Sequence, residues 1–221
     1  MQGAFLEQNS HPEMTKTIYL IRHGQTDYNR LGIVQGSGVD THLNETGRKQ
    51  ANCFYEAYRH IPFQRIFTTE LLRTKQSIEP FAEQTEIPIE PIAELNEINW
   101  GYLEGKTPTK KDKALFLDTI ERWAAGQLDH AIAGGETPLE MFERQKRGLE
   151  RILQTPESPV LVCMHGRAMR SFLCLLTGAE LKDMDQFEHG NLCLYVLELA
   201  PGETHFRLIK ENDQSHLRTI D

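Results

Sequence analysis

The chain has none of the long apolar, basic or cysteine-paired stretches that mark membrane, nucleic-acid-binding or disulfide-framed proteins. No apolar run approaches the roughly 18 to 20 residues needed to cross a bilayer, so no membrane partner is expected. The amino terminus carries neither the basic segment nor the apolar core of a secretory signal, and a cytoplasmic location is the expectation. Four cysteines, Cys53, Cys163, Cys174 and Cys193, are scattered without a Cys-x-x-Cys pair. Three of them stand in apolar stretches and read as buried reduced thiols. The net charge is −8 with no long basic run, which leaves a nucleic-acid partner no electrostatic footprint. There is no internal repeat, linker or low-complexity tract, and neither a P-loop nor a cluster of metal-ligating carboxylates, so no metal and no cofactor are expected.

What is present is a chain of 221 residues, 39% hydrophobic and 25% charged, a composition that folds and that suits one α/β domain over residues 15–221. Residues 1–14 have mixed composition and no periodicity, and read as a disordered leader or a remnant of expression. Thr17–Ile21 is a short β-branched and aromatic run, the signature of a buried parallel strand. Asn44 stands where a helix N-cap belongs, followed by the apolar face of Ala51, Phe54, Tyr55 and Tyr58. Arg65–Phe67 predicts a second strand, Leu71–Ala82 a helix, and Ile87, Ile89 and Ile92 an extended segment. Residues 101–135 read as a helical excursion from the core, with a helix around Ala114–Ala125 and the lysines Lys110, Lys111 and Lys113 on a solvated face. Thr137 with Glu140 forms a capping box for a helix through Leu153. Pro159–Met164 is the clearest buried strand, Ala168–Leu176 a helix, and Leu192–Leu199 with His205–Ile209 a terminal hairpin turned at Pro201-Gly202. The alternation predicts a three-layer α/β/α sandwich around a mostly parallel sheet.

Two of these strands end in the same way, at Arg22-His23-Gly24 and at His165-Gly166. An Arg-His-Gly triplet is expected by chance roughly 0.04 times in this composition, whereas a bare His-Gly pair is expected roughly 0.65 times. A third pair, His189-Gly190, follows the polar Asp183–Glu188 stretch and reads as a loop histidine. In open α/β sheets ligands bind at the carboxyl ends of strands, where the first two pairs fall. Arg73, on the first turn of the helix after the second strand, is placed to meet the same anion as Arg22. A neutral imidazole is a competent nucleophile near pH 7, provided its other nitrogen has an acceptor that fixes the tautomer. Guanidinium and imidazole donors stabilise the charge of a transferring phosphoryl group without requiring a metal.

With Arg22-His23-Gly24-Gln25-Thr26 and Asn29 go Gln35-Gly36, Leu43 to Gly47, Arg73 with Gln76, and Leu95-Asn96-Glu97. Further along stand Trp100-Gly101 with Glu104-Gly105, Gly134-Gly135-Glu136-Thr137, and His165-Gly166. In this order, over most of its length, the chain resembles the histidine phosphatase superfamily, the phosphoglycerate-mutase-like group. That resemblance implies a phosphoglycerate mutase-like fold and His23 as the residue that becomes phosphorylated. It implies that Arg22, Arg73 and His165 hold the phosphoryl oxygens, with Asn29 and Gln35 as secondary contacts. Glu97 would protonate the leaving oxygen and later activate water; its neighbours Glu94 and Glu104 compete for that role. Gly24 and Gly166 let the backbone approach the ligand, and Arg167 either reaches the substrate or begins a helix.

The chain departs from the family's usual forms at Glu70 and Thr74, beside Arg73, and at Arg167, where mutases usually carry Asn. The stretch between Glu97 and His165 is also shorter than the mutase-type insertion. The leading expectation is therefore a metal-independent phosphatase acting on a small phosphorylated metabolite. A mutase-type isomerase is the alternative, and a non-catalytic phosphate-binding module a second one. Specificity is expected to reside in the segment 101–135.

Overall fold

The computed structural model describes residues 14–218; apart from Met14, the expected leader lies outside them. Six strands form one sheet in the order β3-β2-β4-β1-β5-β6. β1 (Lys16–Arg22), β2 (Arg65–Thr68), β3 (Ile89–Pro91) and β4 (Val160–Met164) are mutually parallel, while β5 (Leu194–Leu199) runs antiparallel to β1 and β6 (Arg207–Asp213) antiparallel to β5. The sheet is mixed and mostly parallel, as the alternation of elements predicts.

Alternate residues of the central strands feed two cores. Ile18 and Leu20 of β1, with Val160, Val162 and Met164 of β4, pack on one side against α6 (Pro138–Leu153) and α7 (Gly166–Thr177). Ile21, Leu161 and Cys163 point to the other, where Phe54 of α2 (Glu45–Tyr58) and Phe81 of α4 (Glu79–Gln84) cover them. A strand covered on both faces has no polar side, which is why all of β4 is buried. Cys163, Cys174 and Cys193 are buried thiols, as their apolar surroundings foretell. Among the described residues, no helix is long and apolar enough to cross a membrane.

Several boundaries differ from the sequence expectation, each for a local reason. The helix expected over Leu71–Ala82 is two, α3 (Leu72–Ser77) and α4, because Pro80 occupies the first turn of α4 and cannot continue a preceding helix. α5 (Lys110–Ala124) starts before Ala114, since Thr109 and Asp112 form a reciprocal capping box ahead of it. Lys110, Lys111 and Lys113 are exposed on its first turns. α7 begins at Gly166, not Ala168. The segment 101–135 is less an excursion than expected: Leu103, Trp123 and Ile132 join the larger core, and the Trp123 indole stacks on Trp100 with ring centroids 5.3 Å apart. β5 starts later than Leu192 because Leu192 itself adopts left-handed backbone (φ 53°), turning the chain into the strand.

Candidate active site

The register of β1 on β4 brings the two histidines together. Arg22 pairs with Met164, and the His23 amide donates to the Met164 carbonyl at 2.9 Å, so each strand ends with its imidazole one residue past the last pair. The two rings lie with centroids 5.3 Å apart. His23 Nδ1 is 2.7 Å from the Gly24 carbonyl, to which it can only donate, which leaves Nε2 with the lone pair. Gly24 does not line the cavity as expected for a substrate contact. It fixes the tautomer through its carbonyl, its amide donates to Ser77 Oγ, and a Cβ there would meet the Gly47 carbonyl at 2.7 Å.

His165 is held from both sides. Arg73 Nε donates to its Nδ1 at 3.1 Å, so in the neutral ring Nε2 carries the proton and donates to Thr69 Oγ1 at 2.8 Å. Thr69, at the end of β2, bonds in turn to Thr74 of α3. Arg73 is fully buried and spends further donors on the Val39 and Gly36 carbonyls. Arg73 and His165 thus form a buried network behind His23 and do not line the open cavity.

That cavity, about 190 Å³, is walled by His23, Arg22, Asn29, Gln35, Glu97, Gly166 and Arg167, together with Val34, Trp100, Phe116 and His189. Glu97 is buried at the amino end of α7, where Oε1 accepts from the amides of Ile98 and Ala168 and Oε2 from that of Arg167. Ile98 and Trp100 belong to the core, so the carboxyl is oriented by amides more than enclosed by its apolar neighbours. Of the competing carboxylates, Glu94 is ion-paired to Arg151, and Glu104 accepts from the Trp100 amide and faces Gly36, where any Cβ would overlap its oxygen. Neither walls the cavity. Arg167 both begins α7 and reaches the cavity, its guanidinium pairing with Asp185 at 2.6 Å. Asn29 belongs to a capping box with Thr26 ahead of α1 (Asp27–Leu31), and Gln35 Nε2 donates to Thr26 Oγ1.

Sequence reasoning missed two residues. His189, read as an ordinary loop histidine, accepts from Arg22 through Nδ1 at 3.2 Å and walls the cavity; Asn191 donates to the His23 carbonyl and to Asn29. The signal was the third His-Gly pair ahead of an apolar strand. What placed it was invisible: β5 is antiparallel to β1 with Ile21 opposite Leu194, so the segment entering β5 arrives where β1 ends. Gly166 makes room, since a Cβ there would sit 3.0 Å from the His189 ring.

Burial, then the nearby guanidinium groups of Arg73 and Arg22, holds His23 well below the ordinary histidine range. Burial followed by Arg73 does the same to His165, and burial with Arg22 lowers His189 to about 3. Burial lowers Arg73 and Arg167 to about 10, so both stay charged at neutral pH. Arg22 Nε is buried with no hydrogen-bond partner among the described residues, an unmet donor beside an excess of positive charge. Three imidazoles kept neutral in the fold but free to protonate below about pH 6.5 when unfolded make stability fall as pH drops through 6.5. Urea unfolding at pH 7 and 5.5 is expected to show a loss of about 1 kcal/mol per buried imidazole. Equal midpoints at the two pH values would contradict it.

A mostly parallel α/β sheet that gathers a buried imidazole with a free Nε2, a second buried histidine and several guanidinium groups at the carboxyl ends of its strands suits the handling of a phosphoryl group. The model of the histidine phosphatase superfamily (branch 1) matches residues 18–212, and the chain belongs to that family. Among curated relatives, a Schizosaccharomyces pombe protein named "Probable phosphatase C1687.21" is 39% identical over 114 residues, covering 51% of this chain and 54% of that one. The chain thus spans about half of that relative's length. The uncharacterized phosphatase PhoE of Bacillus subtilis is 29% identical over 201 residues, covering 90% of this chain and 96% of its own. The solved mycobacterial glucosyl-3-phosphoglycerate phosphatase shares the fold with a TM-score of 0.79 at 23% identity, over 90% of this chain and 100% of that one.

Proposed function

We propose that the protein hydrolyses a small phosphomonoester by way of a phosphohistidine at His23. The observation that carries this reading is the pinned tautomer: Nδ1 is committed to the Gly24 carbonyl, so Nε2 is the free nucleophile, in a cavity that Arg22 and Arg167 also wall. In the first step the Nε2 lone pair attacks phosphorus, the P–O ester bond breaks, and Glu97 gives its proton to the departing oxygen. In the second, Glu97 takes a proton from water, the water oxygen bonds to phosphorus, and the N–P bond breaks to return neutral His23. Arg22 and Arg167, with Asn29, Gln35 and the Gly166 backbone, contact the phosphoryl oxygens. Arg73 and His165 stabilise the charge from behind. Relatives named as phosphatases support hydrolysis.

No step in this sequence calls for a metal, because guanidinium groups supply the charge stabilisation. Incubation with a panel of small phosphomonoesters, a phosphoglycerate among them, is expected to release inorganic phosphate, with EDTA leaving the rate unchanged. Rapid isomerisation with negligible phosphate would replace the hydrolase by a mutase. A broad ester panel on which wild type and His23→Ala are equally inert would replace it by a binding module.

A further inference from the structure

Next to the His23 cavity lies a second, larger one of about 300 Å³, formed between the end of α1 and the face of α5. Its walls include Val34, Leu103, Pro108, Phe116 and Leu117. Val34 and Phe116 wall both cavities, so the two are immediate neighbours. Its charged neighbours are Asp112, Lys106 and Lys113: Asp112 is tied into the capping box with Thr109, the Lys106 ammonium lies over the Tyr102 ring, and Lys113 is exposed to solvent. Leu117 remains 59% exposed at this site. With Val34, Leu103, Pro108 and Phe116 it belongs to a contiguous apolar lining, the kind of patch that marks a binding surface.

We propose that the alcohol portion of the substrate is apolar, an aryl or medium-chain alkyl group, and that it lies in this cleft while its phosphate faces His23. The proposal rests on the hydrolase reading and deepens it. A sugar, glycerate or nucleoside would bring hydroxyls that lose water here without gaining partners, which penalises such groups. An apolar group gains about fourfold in affinity per buried methylene. The shared walls Val34 and Phe116, which set the cleft directly beside His23, are what assign it to the substrate in preference to another occupant.

The test is a series of ethyl, butyl and hexyl phosphates, whose leaving alcohols differ little in intrinsic reactivity, together with the matching alkylphosphonates, which bind but are not hydrolysed. The expected result is a kcat/KM that rises about fourfold per methylene until the cleft fills, with phosphonate affinity rising in parallel. Leu117→Gln, at an exposed position that folding tolerates, is expected to cut the hexyl-to-ethyl ratio about tenfold. A flat series, a wild-type preference for glycerol or sugar phosphates over hexyl phosphate, or a steep series indifferent to Leu117→Gln would each overturn the proposal. A flat series would return the cleft to another occupant, such as a second copy of the chain. Graded phosphonate binding without turnover of any ester would sink the hydrolase reading and leave the cleft assignment standing; turnover with ungraded binding would do the reverse.

Discussion

His23→Ala is expected to lower kcat/KM by at least about 10⁴-fold, the scale on which removal of an enzymatic nucleophile acts. Nothing else in the cavity can replace it. His165 has both ring nitrogens engaged by Arg73 and Thr69, and the Nδ1 of His189 already accepts from Arg22. The variant keeps the guanidinium groups and so should still bind inorganic phosphate. The matching chemical result is an acid-labile phosphoryl adduct trapped on the wild type and absent from the variant. Intact mass after rapid quenching checks it, and an adduct that survives in His23→Ala would assign the nucleophile elsewhere.

Arg73→Ala is expected to act on both catalysis and folding. Removing the guanidinium withdraws charge from beside His23 and frees the His165 ring, a change on the order of 10³-fold in kcat for a charge-stabilising arginine. It also strands the Val39 and Gly36 carbonyls and His165 Nδ1 in a buried site. At about 1 kcal/mol or more for each unmet group, the loss of stability is roughly 3 kcal/mol. The two effects separate through pH: Arg73 is the second-largest cause, after burial, of the lowered basicity of His23. Its removal should shift the acidic limb of the kcat/KM profile upward, toward the ordinary histidine range. A weakly folded variant with an unmoved limb would reduce Arg73 to a structural part.

Strand endings were the most legible part of this sequence. A short apolar run that halts at His-Gly states both the element and its position at a sheet edge, so His23, His165 and Arg73 could be brought together before any coordinates. Glu97 was found by its motif, but two of the three amides that orient it come from α7, 70 and 71 residues on, and no local pattern announces them. The lysine run at Lys110–Lys113 hid a capping box, because charge reads as solvent whether or not a helix has begun. Pro80 was in plain view and still lost to the apolar periodicity around it. His189 was set aside for want of a strand before it. An antiparallel strand delivers its residues from the entering side, and direction in a sheet is a long-range property.

The amides at the start of α7 have one more consequence. A helix beginning at the mouth of a phosphate cavity is ordinarily the natural place for the anion itself to dock. Here Glu97 takes two of those donors, the amides of Arg167 and Ala168, so an internal side-chain carboxyl group occupies that place. On the proposed reaction, the phosphate would then be held by the Gly166 backbone and by side chains anchored elsewhere, Arg22 to His189 and Arg167 to Asp185, more than by the helix end.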